Sequence, residues 1–203
     1  TEVFTDPKLQ ALIQKGLENN TDLLSASLKV KQAEAMLTSA RLSFLPSFAL
    51  TPQGTVSSFD HATATQTYQL PVSASWEVDL FGKLLNAERS KKALLLQSKA
   101  YQQVVKTKVI ASIANTYYTL LMLDKQLEIS LETAEAWKQS VETTRKLMTI
   151  GSANESAVSS TEANYLSVQA SLAELRRQIR ETENSLSLLL GQVPQTVGRG
   201  RID

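Results

Sequence analysis

Apolar positions along the chain follow one period, then another, then the first again. Leu9, Leu12, Ile13 and Leu17 fall on one face of a short helix, and Asp6-Pro7 before them has the form of an N-cap followed by proline at the first helical position. The polar run Glu18-Asn19-Asn20-Thr21-Asp22 supplies turn and capping residues. After it Leu23, Ala26, Val30, Ala33, Leu37 and Ala40 recur in alternating steps of three and four, which predicts a helix carrying a heptad seam.

From Phe44 the period changes to two. Tyr68, Leu70, Val72, Ala74, Trp76, Val78 and Leu80 share one face of an expected strand, and Gln69, Pro71, Ser73, Ser75, Glu77 and Asp79 share the other. Phe44, Phe48, Leu50 and Val56 give a weaker form of the same alternation, so 44–82 is expected to form a β-hairpin with its loop at 60–66. His61 sits in that loop as a solvated side chain. Pro46, Pro52 and Pro71 argue for strand ends, edges or bends, because proline cannot donate to a ladder.

Between Gly82 and Gly151 nothing interrupts a helical pattern, and Ile113, Leu120, Leu127, Ala134, Val141 and Met148 recur every seventh residue. Residues 83–149 are expected to form one helix of about 100 Å. Gly151 is expected to end it, and Ser152 with Glu155 fits a capping box for the next helix. There Val158, Thr161, Tyr165, Val168, Leu172, Leu175, Ile179, Thr182, Leu186 and Leu189 keep the three-four step until Gly191 and Pro194. A strict heptad seam needs a partner, so the two helices are expected to pair antiparallel across Gly151. The last helix is too short to cover the long one, and the helix at 21–42 is expected to continue the line beside it. Val109, Ile110, Ala114, Tyr118 and Leu121 form a second apolar face, which calls for neighbours from outside the chain.

Composition narrows the function. Lys and Arg number 21 against 20 Asp and Glu, and a net charge of +1 provides no field for gathering nucleic acid. With no cysteine, disulfides and thiolate chemistry are excluded; with His61 as the single histidine a zinc site would need all its other ligands to be carboxylates, and no cofactor is expected. No apolar run reaches the length of a membrane-spanning helix. Glu77 and Asp79 are neighbours along one strand face rather than opposed across a cleft, so they are not acid-base candidates. Tyr117, Tyr118, Tyr165 and Trp137 lie in or beside seams and are expected to pack.

The segment Trp76-Glu77-Val78-Asp79-Leu80-Phe81-Gly82-Lys83, where a strand feeds a long helix, resembles the signature of TolC-like outer membrane efflux proteins, in particular the lipoprotein branch serving resistance-nodulation-division pumps. Phe4-Thr5-Asp6-Pro7-Lys8-Leu9-Gln10, Asn19-Asn20-Thr21-Asp22-Leu23, Leu188-Leu189-Leu190-Gly191-Gln192-Val193-Pro194 and Gly198-Arg199-Gly200-Arg201 match in the same order. The resemblance implies a mainly α fold of long antiparallel coiled-coil helices with a β-hairpin, the first of two such repeats. It divides the chain into a short N-terminal helix at 1–20, helical coiled coil at 21–43 and 83–191, a barrel hairpin at 44–82, and a linker toward a second repeat at 192–203.

Implied with it are a homotrimer in the full-length protein, a periplasmic adaptor (membrane fusion protein), an inner membrane pump, outer membrane lipid around the hairpin, and a passive rather than catalytic role. Tyr68, Leu70, Val72, Ala74, Trp76 and Val78 would face lipid, with Tyr68 and Trp76 at its interfaces, and Ser73, Ser75, Glu77 and Asp79 would line the channel. Thr149, Ile150, Gly151, Ser152 and Ala153 match the tip that meets the adaptor. The alternation alone fits a soluble sheet as well as a barrel strand, and the tip residues alone fit a plain helix-helix turn. A soluble periplasmic coiled-coil adaptor or interaction protein is the competing reading.

Overall fold

The structure, a computed structural model, describes residues 4–58, 63 and 65–201. It contains α1 (Pro7–Asn19), α2 (Thr21–Leu42), β1 (Ser47–Leu50), β2 (Gln53–Ser57), β3 (Thr65–Gln69), β4 (Val72–Ser75), α3 (Lys83–Thr149) and α4 (Glu155–Leu189). The chain divides into two compact units, 1–25 with 103–203 and 26–102, and α3 contributes residues to each.

In the larger unit the α3–α4 seam forms as the heptads predict. Ile113, Leu120, Ala134 and Val141 of α3 are buried, as are Val158, Leu172, Leu175, Ile179 and Leu186 of α4. The turn at Gly151 sets the antiparallel sense, and a cross-pair from Arg145 to Glu162 at 2.9 Å bridges the two helices beside it. Met148 remains partly exposed, because the seam runs out at the turn. Burying one such aliphatic side chain contributes about 1.5–3 kcal/mol, so the seam outweighs the surface pairs along it.

The second apolar face of α3 is covered by the chain itself, contrary to expectation. Val109, Ala114 and Leu121 belong to one core with Leu9 and Ile13 of α1 and Leu190, and Phe4, Leu12 and Val197 pack at its margin. Only Tyr118 of that face stays largely exposed. The close approach depends on Gly16: a Cβ there would lie 2.3 Å from Ile113 Cδ1.

The caps explain where the helices stop. Asp6 accepts from the Lys8 N–H at 2.8 Å, with Pro7 opening α1 as predicted. Asn20 ends α1 through its own N–H to Gly16 O and starts α2 by accepting from the Asp22 and Leu23 N–H groups at 3.0 Å. Its Nδ2 donates to Leu189 O at 2.9 Å, so the end of α4 meets the start of α2 at one buried amide. Gly151 and Gly191 close α3 and α4 with the same paired bonds, Ser152 N to Leu147 O and Gln192 N to Ser187 O among them, at φ +76 and +65. The capping box expected at Ser152 does not form. Asn154 caps α4 instead, its side chain accepting from Ala157 N at 2.8 Å, because the Gly151 turn uses up the intervening residues.

In the second unit Ala26, Val30, Ala33 and Leu37 of α2 are buried, with Leu84 of α3. Ion pairs Arg41–Glu88 at 2.9 Å and Glu34–Lys99 at 3.3 Å, and Lys29 over the Tyr101 ring at 5.4 Å, again give an antiparallel pair.

The β-hairpin departs from expectation in extent. The first strand begins at Ser47, not Phe44, since Phe44 and Leu45 belong to a turn that ends α2 before Pro46. The strand expected to run to Leu80 stops at Ser75, and Thr65 and Gln66 are strand rather than loop. Asp60 and His61 lie outside the described residues. Pro52 and Pro71 split the pairing into two ladders, β1 with β4 and β2 with β3, joined across the gap by Thr51 N to Pro71 O at 3.2 Å.

Gly151 and Gly191 separate two effects of a left-handed glycine. A Cβ on Gly151 meets nothing within 4 Å, so Gly151→Ala is expected to cost only the backbone term of about 1–2 kcal/mol. At Gly191 a Cβ would sit 2.4 Å from Asn19 O, a backbone atom, so Gly191→Ala is expected to lower stability well beyond that. Denaturant melts of the helical circular dichroism signal on the two variants check the ranking.

Candidate functional site

The hairpin's geometry begins with its register. Leu50 opposes Val72 and Gln53 opposes Gln69, so two residues intervene on each strand and the pairing resumes in step beyond the prolines. Directly opposed residues point to the same face. One face therefore carries Phe48, Leu50, Val72 and Ala74 in the first ladder and Gly54, Val56, Gln66 and Tyr68 in the second. The other carries Ser47, Ala49, Ser73 and Ser75, then Gln53, Thr55, Ser57, Thr65, Thr67 and Gln69. Apart from Ala49 it is wholly Ser, Thr and Gln.

Neither face is covered. Every residue of the four strands is exposed, including Val72 at 72% and Tyr68 at 77%. Leu70, Trp76 and Val78 are exposed as well, so all six side chains expected on the apolar face stand bare. The Tyr68 ring lies over Gly54, the position opposite, where an added Cβ would come within 3.4 Å of it.

Between β4 and α3 the structure gives local partners to residues expected in the channel wall. Asp79 accepts from Leu85 N at 2.9 Å, satisfying a free N–H in the first turn of α3. Glu77 pairs with Lys83 at 2.7 Å. The Trp76 indole donates to Phe44 O at 3.1 Å, tying the two arms of the hairpin together below the ladder. Ser73 and Ser75 lie in β4 on the polar face, whereas Glu77 and Asp79 lie beyond the ladder.

At the other end of α3, Thr149, Ile150, Gly151 and Ser152 are exposed and Ala153 is half-buried. Ile150, at 73% exposed, projects an apolar side chain from the turn.

A third constellation was not anticipated. The segment expected to be a linker is docked on the core, and Arg199 is its anchor. Its guanidinium forks onto Asp124 of α3, with Nη2 to Oδ1 at 2.8 Å and Nε to Oδ2, and Nη1 donates to Glu183 of α4. The Arg199 side chain is only 15% exposed and Glu183 is buried; the fork onto Asp124, helped by the bond to Glu183 and working against burial, holds the guanidinium proton more tightly than usual. Gly200 N donates to the Tyr117 hydroxyl at 3.0 Å, Tyr117 donates to Asp6, and Lys8 Nζ reaches Arg199 O at 2.8 Å. The Tyr117 bond, as the largest cause, holds the Asp6 carboxyl below its ordinary value near 3.8, while burial pushes the Tyr117 hydroxyl up. Among the described residues no cluster of His, Cys, Asp or Glu is arranged to hold a metal ion, and no helix is long and apolar enough to cross a membrane.

The sequence model described as outer membrane efflux protein matches residues 12–192. The chain belongs to that family. The cation efflux system protein CusC of Escherichia coli O157:H7 is 29% identical over 93% of this chain and 41% of its own length. The toluene efflux pump outer membrane protein TtgC of Pseudomonas putida is 27% identical over 94% of this chain and 41% of its own. A crystal structure of CusC superposes with a TM-score of 0.85 at 25% identity over 98% of this chain and 47% of the other. The Campylobacter jejuni CmeC channel superposes at 0.84 over all of this chain and 47% of the other, and at 21% identity it speaks to fold. The chain thus spans about two-fifths of the length of the curated relatives it matches. As an outer membrane efflux protein it is assigned to the outer membrane and periplasm of a Gram-negative bacterium.

For this outer membrane efflux protein, sequence periodicity located the hairpin faces and the helix-helix turn at Gly151 but missed Arg199, Asp124 and Glu183. A signal was present: Glu183 falls directly beside the seam, between Ile179 and Leu186, where a carboxylate requires a cation.

The lowered Asp6 value sets a pH dependence. A carboxyl that binds its proton less readily folded than unfolded adds stability at pH above its unfolded value, and that contribution is lost as pH falls through the folded one. Acidification into that range is therefore expected to lower the melting temperature, and Asp6→Asn to flatten this acid limb, as followed by helical ellipticity against pH.

Proposed function

We propose that the chain is the first repeat of the channel component of a tripartite efflux system, a passive conduit for small molecules across the periplasm and outer membrane. What supports this reading most directly is the hairpin, whose register persists through two prolines, whose faces are sorted, and which buries none of its strand residues. Such a hairpin has no core and two open edges. In hydrocarbon an open edge leaves backbone groups unpaired, so closure with other hairpins is required. Apolar residues outward and Ser, Thr and Gln inward then give a water-filled barrel.

In this reading Tyr68, Leu70, Val72, Ala74, Trp76 and Val78 meet lipid, and Ser73 and Ser75 line the lumen. Glu77 and Asp79 flank the lumen's mouth while holding the start of α3. The full-length protein works as a homotrimer with a periplasmic adaptor at 149–153 and an inner membrane pump that supplies the energy. It engages no nucleic acid and performs no catalysis.

Conductance of the full-length protein in planar bilayers tests the proposal: a stable open or gated pore is expected, and no pore under any gating condition would return the chain to the soluble adaptor class. Val72→Arg, on the apolar face, is expected to reduce barrel insertion, since a lipid-facing arginine costs about 2–4 kcal/mol at mid-membrane. Ser73→Arg on the opposite face is expected to insert normally and change single-channel conductance. Charged or bulky substitutions at Gly151 or Ser152 are expected to abolish efflux-dependent resistance while leaving the trimer intact on native gels.

A further inference from the structure

We propose that 195–201 is a strap whose Arg199 clasps α3 to α4 at Asp124 and Glu183, dividing the helical hairpin into a fixed segment and a segment that opens independently beyond it. The strap is held at several points. Gly200 N and Lys8 Nζ tie it to the α1 side, and the Ser187 hydroxyl and Gln195 bond each other at 3.4 Å at its start. Val197 packs at the margin of the core, whereas Arg199 is hydrogen-bonded to both long helices, and its fork on Asp124 fixes orientation as well as distance.

The packing differs on the two sides of this clasp. On the α1 side Ile113, Tyr117, Leu120 and Leu186 are fully buried. On the Gly151 side Val158, Leu172 and Leu175 of α4 stay buried, but the seam between them at Thr161, Tyr165 and Val168 is only half-buried. A recess of about 660 Å³ lies between the helices there, bordered by Ser130, Thr133, Ser167 and Ser171. Beyond the clasp the one ion pair described across the helical hairpin is Arg145–Glu162, whose side chains are largely solvent-exposed. A buried, forked tie therefore gives way to an exposed one where apolar contact also thins. Local opening draws on segments with few buried contacts, and the clasp marks where such a segment must stop. Arg199 is thus a positioning residue.

Hydrogen-deuterium exchange on the full protein in detergent, resolved by peptide, tests this without reference to conduction. Amides at 126–149 and 155–178 are expected to exchange at least about tenfold faster than those at 109–123 and 179–190. Arg199→Met is expected to carry the faster exchange into 115–123 and 179–187, whereas Arg145→Met should change only the distal segment. Should Arg199→Met fail to fold, the combined variant D124N/R199M/E183Q removes the stranded carboxylates with the clasp and is expected to show the same spread. Uniform protection along both helices, or an unchanged boundary in the folded Arg199 variant, overturns the clasp and leaves the channel proposal standing. Absence of a pore with the boundary intact does the reverse.

Discussion

The apolar seam of α3 is the constraint on which the rest depends. A helix of 67 residues with no internal glycine or proline has little to hold it except what it packs against, because helix stability in proteins comes mostly from burying an apolar stripe. α4 covers that stripe in one unit and α2 in the other, each antiparallel. The need to bring these partners to α3 in register explains the punctuation of the chain. Gly151 reverses it, Gly191 lets it approach the backbone of Asn19, and Asn20 ends one helix while starting the next.

The same seam accounts for the buried charges. Glu183 is carried into the interior because the turns above and below it are committed to the core, and an uncompensated carboxylate there would be strongly unfavourable. Arg199 answers that charge from 16 residues further on while also reaching Asp124, and in doing so makes the segment after α4 part of the fold. The tail also covers the second apolar face of α3 together with α1, so a surface that would otherwise demand a foreign partner is closed internally.

The hairpin follows a different logic. Its ladders are regular, yet a two-stranded ribbon with no buried side chain is marginal at best in water. The proposed barrel gives its sorting of apolar and hydroxyl or amide side chains a role, with apolar surroundings on one side and water on the other. The family resemblance in the sequence and the match over 12–192 agree with that physical reading without supplying it.

Periodicity by itself determined the four helices, the reversal at Gly151 and the composition of the two hairpin faces, because burial on one face imposes a repeat that survives in the order of residues. Strand limits were less legible, since Phe44, Trp76 and Val78 keep the alternation while a turn and the approach to α3 remove them from the ladder. The coverage of Val109 and Leu121, the cap at Asn154 and the clasp from Arg199 to Asp124 and Glu183 were decided only in three dimensions. Local repeats record which face of an element is buried, but a contact between residues 75 positions apart leaves no period to read.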